Sequence, residues 1–166
     1  MTIGQINALD RGGFVQAIGW VFEHSPWVAE RSWEHRPFVS LEALNETMES
    51  QVELASRAQK ATLLRAHPDL GSRAQMGPSS ANEQADAGLD RLTPEEYRRF
   101  HHLNEAYKTK FGFPFLFAVK GSNKFRILEA LERRLDAGAE EEFQTAMRQV
   151  YKIARFRLQD LIDNHR

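Results

Sequence analysis

The sequence predicts an all-α fold, a single compact domain of about eight helices over residues 1–166. Three observations predict it. Apolar residues recur at spacings of three and four along most of the chain, as one face of a helix requires. Helix-start residues stand directly before several of these stripes. One apolar run, residues 113–119, lacks helical spacing, and a lone strand would have no sheet partner.

Three helix starts are expected in the first third of the chain. Asp10 is a capping residue, and the stripe after it consists of Phe14, Ile18, Val21 and Phe22. Ser25-Pro26 marks a second start, with proline at the first helical position, and this helix cannot pass Pro37. Ser40 caps a third stripe, formed by Leu41, Leu44, Met48 and Val52.

The middle of the chain contains one helix end and two helix starts. The segment with Leu63 and Leu64 must end near His67, because Pro68 disfavours helical geometry in the residue before it. Capping boxes are expected at Ser80-x-x-Glu83 and at Thr93-x-x-Glu96. The helix after Thr93 carries a stripe of Tyr97, Phe100, Asn104, Tyr107 and Phe111. Gly112 is expected to end it.

The last third of the chain is expected to hold one irregular segment and two helices. The run Phe113-Pro114-Phe115-Leu116-Phe117-Ala118-Val119 fits either a buried strand or a buried loop, and the missing partner strand favours the loop. The next helix has a stripe of Ile127, Leu128, Leu131 and Leu135. The final helix is expected from about residue 139 to residue 162.

Composition excludes several classes of protein. No cysteine is present, which excludes disulfides, thiolate metal sites and cysteine nucleophiles. The formal net charge is -1, and the mixed charges favour neither nucleic acid nor an acidic membrane as partner. No apolar run is long enough to span a bilayer, and no signal peptide or peroxisomal address is recognised. The expected location is the cytoplasm.

The most informative stretch is the turn at Arg65-Ala66-His67-Pro68-Asp69-Leu70-Gly71. It places an imidazole at a helix end, where it can act as a general acid or base near neutral pH. The alternative is a histidine that bonds the last helical carbonyls. Glu83 lies at the next helix start, and its alternative is a purely structural role in the capping box.

Arg157 stands on the apolar stripe of the final helix, whose other members are Phe143, Met147, Val150, Ala154 and Leu161. A buried guanidinium is costly without an anion, so Arg157 is a candidate clamp for a carboxylate or amide. The alternative is an arginine whose charged end snorkels to water.

Two other features carry weaker expectations. The proline-broken run of residues 113–119 is expected to be mostly core, but its backbone groups can also line a pocket for a planar polar ligand. His101-His102 with Glu105 is a poor metal pattern, because adjacent helical residues point to different faces. We therefore expect no metal, and the sequence contains no phosphate-binding loop, nucleophile elbow or dinucleotide fingerprint.

Six motifs carry a family resemblance across nearly the whole chain. In order they are Glu23-His24-Ser25-Pro26-Trp27-Val28, Arg36-Pro37-Phe38, His67-Pro68-Asp69-Leu70-Gly71, Ser80-x-x-Glu83-Gln84, Phe111-Gly112-Phe113-Pro114-Phe115 and Arg157-Leu158-x-Asp160-Leu161. In this order and spacing the chain resembles 2-oxo-4-hydroxy-4-carboxy-5-ureidoimidazoline (OHCU) decarboxylase, a carboxy-lyase of urate breakdown.

The resemblance implies a helical homodimer that converts OHCU to (S)-allantoin and CO2 without metal or organic cofactor. It implies that His67 and Glu83 are the catalytic residues and that Arg157 binds substrate. It also implies substrate contact at Pro68, at the segment Ser80, Ala81, Asn82, Glu83 and Gln84, and at the segment Phe115, Leu116, Phe117, Ala118 and Val119. His67 is then expected to transfer a proton, with Glu83 setting its protonation.

Two rival interpretations remain open on the sequence. A non-catalytic helical interaction module would have His67 and Glu83 exposed and far apart. A different enzyme acting on a ureido or purine-like compound, such as a hydrolase, would need an activated water, and the sequence offers no plausible ligand set for the metal that usually supplies one.

Overall fold

The structure, a computed structural model, describes residues 1–163 and contains nine α-helices and no strand within that range. The all-α expectation is therefore confirmed. By its contacts the chain divides into two units, one made of Met1–Ala66 and the chain from Tyr151 onward, the other of His67–Val150. The assignment of residues 1–166 to one domain stays a prediction. None of the described helices is long and apolar enough to cross a membrane.

The first unit contains five complete helices and the end of the last one. They are α1 (Ile3–Asn7), α2 (Arg11–Ile18), α3 (Trp27–Ser32), α4 (Leu41–Glu53) and α5 (Arg57–Arg65). Two 3₁₀ turns, Gly19–Val21 and Trp33–His35, follow α2 and α3.

Side-chain caps explain where these helices begin. The Asp10 carboxylate accepts from the Gly13 N–H at 2.7 Å and the Ser40 hydroxyl from the Ala43 N–H at 3.1 Å, which confirms both expected caps. The α3 prediction was one residue early, because Pro26 is the N-cap rather than the first helical residue. The five-residue α1 was not expected, since it is too short to form an apolar stripe.

The core of this unit forms where α3 packs against α2 and α4. Its fully buried apolar side chains include Ile6, Phe14, Ile18, Val28, Leu44, Met48, Val52, Leu63 and Leu64. The Phe14 and Phe38 rings stack with centroids 6.1 Å apart, which packs the segment after Pro37 against α2.

The second unit contains α6 (Pro78–Asp86), α7 (Pro94–Phe111), α8 (Lys124–Arg134) and the beginning of α9 (Ala139–Asp163). The Thr93 capping box is confirmed, and Gly112 ends α7 in the left-handed conformation at φ 80°. The Ser80 capping box is wrong. Gly77 is the N-cap of α6 and Pro78 its first residue, because proline is favoured at the position whose N–H would be unpaired anyway.

The apolar run at residues 113–119 is irregular and has no strand partner in the described chain, which confirms the loop prediction. Two of its three rings pack against Tyr107, which is fully buried. The Tyr107 ring centroid lies 5.9 Å from that of Phe113 and 5.5 Å from that of Phe115, both in edge-on contact. The segment is thereby fixed to α7 by aromatic packing.

Gly71 combines a positive φ of 74° with close packing, and we predict that Gly71→Ala destabilises the protein more than Gly121→Ala does. A Cβ on Gly71 would meet Leu92 at 3.0 Å and Phe100 at 3.2 Å, whereas Gly121 (φ 77°) has nothing within 4 Å. We expect losses of about 2–5 kcal/mol and about 1–2 kcal/mol respectively, measured by urea unfolding. Equal losses would show that packing at Gly71 is unimportant.

Candidate functional site

His67 lies just beyond α5, which ends at Arg65 with Ala66 as its cap. This confirms the expected helix end before Pro68. The His67 side chain is only 7% exposed. An interaction module with His67 on its surface is therefore not what the structure contains. Buried imidazole is a reasonable proton-transfer group because bulk water cannot exchange protons with it freely.

The turn after His67 is held by the side chain of Gln84 on α6. Gln84 Nε2 donates to the Asp69 carbonyl at 3.2 Å, and Gln84 Oε1 accepts from the Gly71 N–H at 2.9 Å. Gln84 is itself 5% exposed. Both ends of its amide are thus bonded to the turn, which ties the position of His67 to α6.

Two residues of α7, one helical turn apart, hold the same turn. Asn104 Nδ2 donates to the Leu70 carbonyl at 2.8 Å, and Lys108 Nζ donates to the Asp69 carboxylate at 2.8 Å. The bond to Asp69 raises the pKa of Lys108, so the Lys108 ammonium stays charged through neutral and moderately alkaline pH. Sequence reasoning missed both roles. Asn104 did carry a signal, because it is a polar residue on an apolar stripe.

The predicted segment Ser80–Gln84 presents its residues on two faces of α6. Ser80 and Gln84 are each 5% exposed and Glu83 is half-buried, whereas Ala81 and Asn82 are exposed. Residues three and four apart share a helix face, which groups Ser80, Glu83 and Gln84. Because α6 begins at Pro78, Glu83 is not part of a capping box. The capping-box role considered for Glu83 is therefore wrong.

The second predicted segment, Phe115–Val119, is bonded to α8 and α9. The Leu116 carbonyl accepts from Arg134 Nη1 at 2.6 Å, and the Ala118 N–H donates to Gln149 Oε1 at 2.9 Å. Phe115, Leu116 and Val119 are buried, and Phe117 and Ala118 are half-buried. The segment thus combines a buried anchor with partly accessible residues.

A buried polar cluster supports this segment. The Glu142 carboxylate, 1% exposed, accepts from the Tyr107 hydroxyl and from Arg134 Nε at 2.7 Å. Arg134 Nη2 also lies 2.5 Å from Glu142 but outside hydrogen-bonding geometry, so it adds charge attraction only. Burial, reinforced by the bond to Glu142, raises the pKa of the Tyr107 phenol, which keeps Tyr107 a donor.

Arg157 belongs to the other unit and is 4% exposed, which confirms its expected burial and makes the snorkelling alternative wrong. Arg157 Nη1 donates to Glu23 Oε2 at 2.9 Å and lies 3.4 Å from the Trp20 and Val21 carbonyls. Glu23 is 7% exposed, so both charges are withdrawn from water. Sequence reasoning placed Glu23 in a motif but gave it no role.

The described residues bring His67, Ser80, Glu83, Gln84 and the 115–119 segment into one unit, and Arg157 into the other. No group of three or more His, Cys, Asp or Glu side chains in residues 1–163 could hold a metal ion. The His101 ring instead stacks on Tyr97, with centroids 6.3 Å apart.

Comparison with known proteins identifies close relatives. The family model described as OHCU decarboxylase matches residues 7–159. The chain is 49% identical over 158 residues to the 2-oxo-4-hydroxy-4-carboxy-5-ureidoimidazoline decarboxylase of Haloferax volcanii, covering 95% of this chain and 94% of that protein. It is 47% identical over 161 residues to the protein of the same name from Halalkalicoccus jeotgali, covering 97% of this chain and 92% of that one.

The fold agrees with the sequence matches. The crystal structure of an (S)-allantoin synthase is similar with a TM-score of 0.78 and 33% identity, over 98% of this chain and 55% of that chain. These matches confirm the resemblance that the six motifs indicated.

We predict that Lys108→Met loosens the turn after His67. Losing the bond to Asp69 should speed amide hydrogen exchange at residues 69–71 by about two- to fivefold, the range expected for a partly exposed ion pair. The matched control is Lys124→Met, which breaks the Lys124–Glu96 pair, also 2.8 Å long and also anchored on α7. Exchange at the turn should be unchanged in the control, and equal changes in both variants would contradict the anchoring role.

Proposed function

This chain belongs to the OHCU decarboxylase family, whose members are carboxy-lyases, and we propose that it converts OHCU to (S)-allantoin and CO2. The family match over residues 7–159 is the observation that carries the proposal. The buried His67 and the side-chain bonds that hold its turn support it.

The chemistry of the substrate determines what the protein must provide. When the bond between the ring carbon and the carboxylate breaks, CO2 leaves, the released electron pair forms a C=C bond to the carbon that bears the ureido group, and the electrons of the C=N bond move onto the ring nitrogen, which takes up a proton. A second proton then adds to the carbon that bears the ureido group, and the hydroxyl releases its own proton as it becomes a carbonyl. The substrate thus accepts the electrons itself, and the protein must orient the carboxylate, limit its hydration and deliver a proton to one face.

We propose that His67 transfers this proton and that Glu83 sets its protonation while holding the hydroxyl or ureido end of the substrate. His67 is buried in a turn with few conformational choices, which suits delivery of a proton to one face and hence a single enantiomer. Glu83 is half-buried on the α6 face that carries Ser80 and Gln84, so its carboxylate is only partly hydrated.

The remaining proposed contacts divide between backbone and side chains. Pro68 lies in the held turn, and the 115–119 segment offers backbone groups outside any helix. Ala81 and Asn82 have exposed side chains, and they are proposed substrate contacts only as part of the α6 segment 80–84. Gln84 holds the turn with its side-chain amide, so its proposed effect on the substrate is exerted through the position of that turn. Arg157, with its planar fork, is the proposed clamp for a carboxylate or amide.

The family resemblance also supports a homodimer and a cytoplasmic location as parts of this proposal. Sedimentation equilibrium of the purified chain would distinguish a dimer from a monomer.

We predict that His67→Asn remains folded and loses at least about 10²-fold in kcat, the usual contribution of a positioned acid or base. OHCU is made in situ from urate, and allantoin is followed by circular dichroism. His102→Asn, at an exposed position of α7, is the control and should keep wild-type turnover. A folded His67→Asn variant with wild-type kcat would make the assigned role wrong.

We predict that Arg157→Lys raises KM by about tenfold. The guanidinium fork of arginine can pair with Glu23 and bind a planar anion at the same time, and the single ammonium of lysine cannot do both. Lysine keeps a positive charge near Glu23, so the carboxylate is not left buried alone. Arg155→Lys, at an exposed position of the same helix, is the control for general effects on α9. Unchanged KM and kcat in Arg157→Lys would rule out the clamp.

A further inference from the structure

The backbone of the 115–119 segment is bonded to side chains at two positions. The Leu116 carbonyl accepts from Arg134 and the Ala118 N–H donates to Gln149, two residues apart. The Phe115 and Phe117 rings stack with centroids 6.2 Å apart, which places alternate side chains on one side. Both spacings match the two-residue period of extended chain. In extended chain, the N–H and C=O groups of Phe117 point away from the edge that faces Arg134 and Gln149.

Arg134 is itself fixed in three ways. Its Nε binds Glu142 at 2.7 Å, its Nη1 binds the Leu116 carbonyl at 2.6 Å, and its Cζ lies 4.5 Å from the centroid of the Phe115 ring. Glu142 is held in turn by the hydroxyl of Tyr107, which is fully buried. A guanidinium can bind a carboxylate and a carbonyl at once because its nitrogens form a rigid fork, which a lysine lacks.

We propose that Arg134 is a positioning residue for the substrate: anchored by Glu142 and Tyr107, it fixes the Leu116 carbonyl and so directs the Phe117 peptide group toward the bound ring. This inference rests on the proposed function of the segment. It assigns to Arg134, and to Glu142 through its bond to Arg134, an effect on substrate affinity although neither of them is a proposed substrate contact.

The position of Arg134 argues for this role over simple stabilisation. A buried ion pair contributes little more to stability than apolar residues of the same size would. Arg134 bonds to the main chain of an irregular segment that is proposed to bind the substrate, and its ring contact is to Phe115 in that segment. Arg99 on α7 offers a contrast, because it pairs with the side chain of Glu132 on α8 and both side chains are exposed.

The test compares three variants in the OHCU assay. Arg134→Lys keeps the charge beside Glu142 but cannot also hold Leu116, and we expect KM to rise about tenfold with kcat changed less than about threefold. Tyr107→Phe weakens the cluster but leaves the Arg134–Leu116 bond, so its Tm should fall while KM stays within about twofold. Arg99→Lys, the surface control, should change neither KM nor Tm.

Hydrogen exchange gives a second readout that does not depend on activity. Amides of residues 115–119 should exchange at least about fivefold faster in Arg134→Lys and at the wild-type rate in Arg99→Lys. If Arg134→Lys does not fold, Glu142→Gln replaces it, since the amide still accepts from Arg134 without the anchoring charge. We expect this variant to raise KM about threefold.

Wild-type KM or wild-type exchange in the Arg134 variant would overturn the inference. So would a Tyr107→Phe variant that raises KM as much as Arg134→Lys, because KM would then follow stability alone. Failure of the proposed function is distinguishable from these two outcomes, because the wild-type protein itself would then yield no allantoin from OHCU. In that case the part of the inference that concerns the substrate would also be wrong.

Discussion

The turn that follows His67 is held by side chains, and this constraint determines where the imidazole can lie. Residues 69–71 are outside any helix, and buried peptide groups need partners. Gln84 supplies one donor and one acceptor, and Asn104 supplies a donor to the carbonyl between them. The position of the turn is therefore set by α6 and α7. Gly71 completes it, because its positive φ brings the chain against Phe100.

Two arginines, the buried Arg157 and the half-buried Arg134, must each be paired with an anion within their own unit. An isolated guanidinium out of water would cost several kcal/mol, roughly as much as a buried ion pair loses when one partner is removed. Arg157 is neutralised by Glu23 and Arg134 by Glu142, and each also lies within reach of main-chain carbonyls. Such pairs fix the backbone they touch. We interpret both as devices that set the geometry of a site rather than as major sources of stability.

Local sequence signals predicted the helices because capping is decided by a few neighbouring residues. Asp10, Ser40 and Thr93 cap as expected. At α6 two local signals competed, and proline at the first helical position prevailed over the serine motif. Arg157 and Asn104 could be recognised as polar residues on apolar stripes. Their partners could not, since Glu23 lies 134 positions from Arg157 and Leu70 lies 34 positions from Asn104.

An all-helical protein uses most of its backbone donors and acceptors inside its helices, so backbone contacts to a polar ring must come from irregular chain. In the His67–Val150 unit, Gly112 and Pro114 stop α7 from continuing and leave residues 113–119 available for this purpose. Irregular chain is precise only where side chains from neighbouring helices hold it. Gln84 and Asn104 do this for one segment, and Arg134 and Gln149 do it for the other. Substrate affinity should therefore depend on residues that never touch the substrate, in proportion to how firmly they hold these two segments.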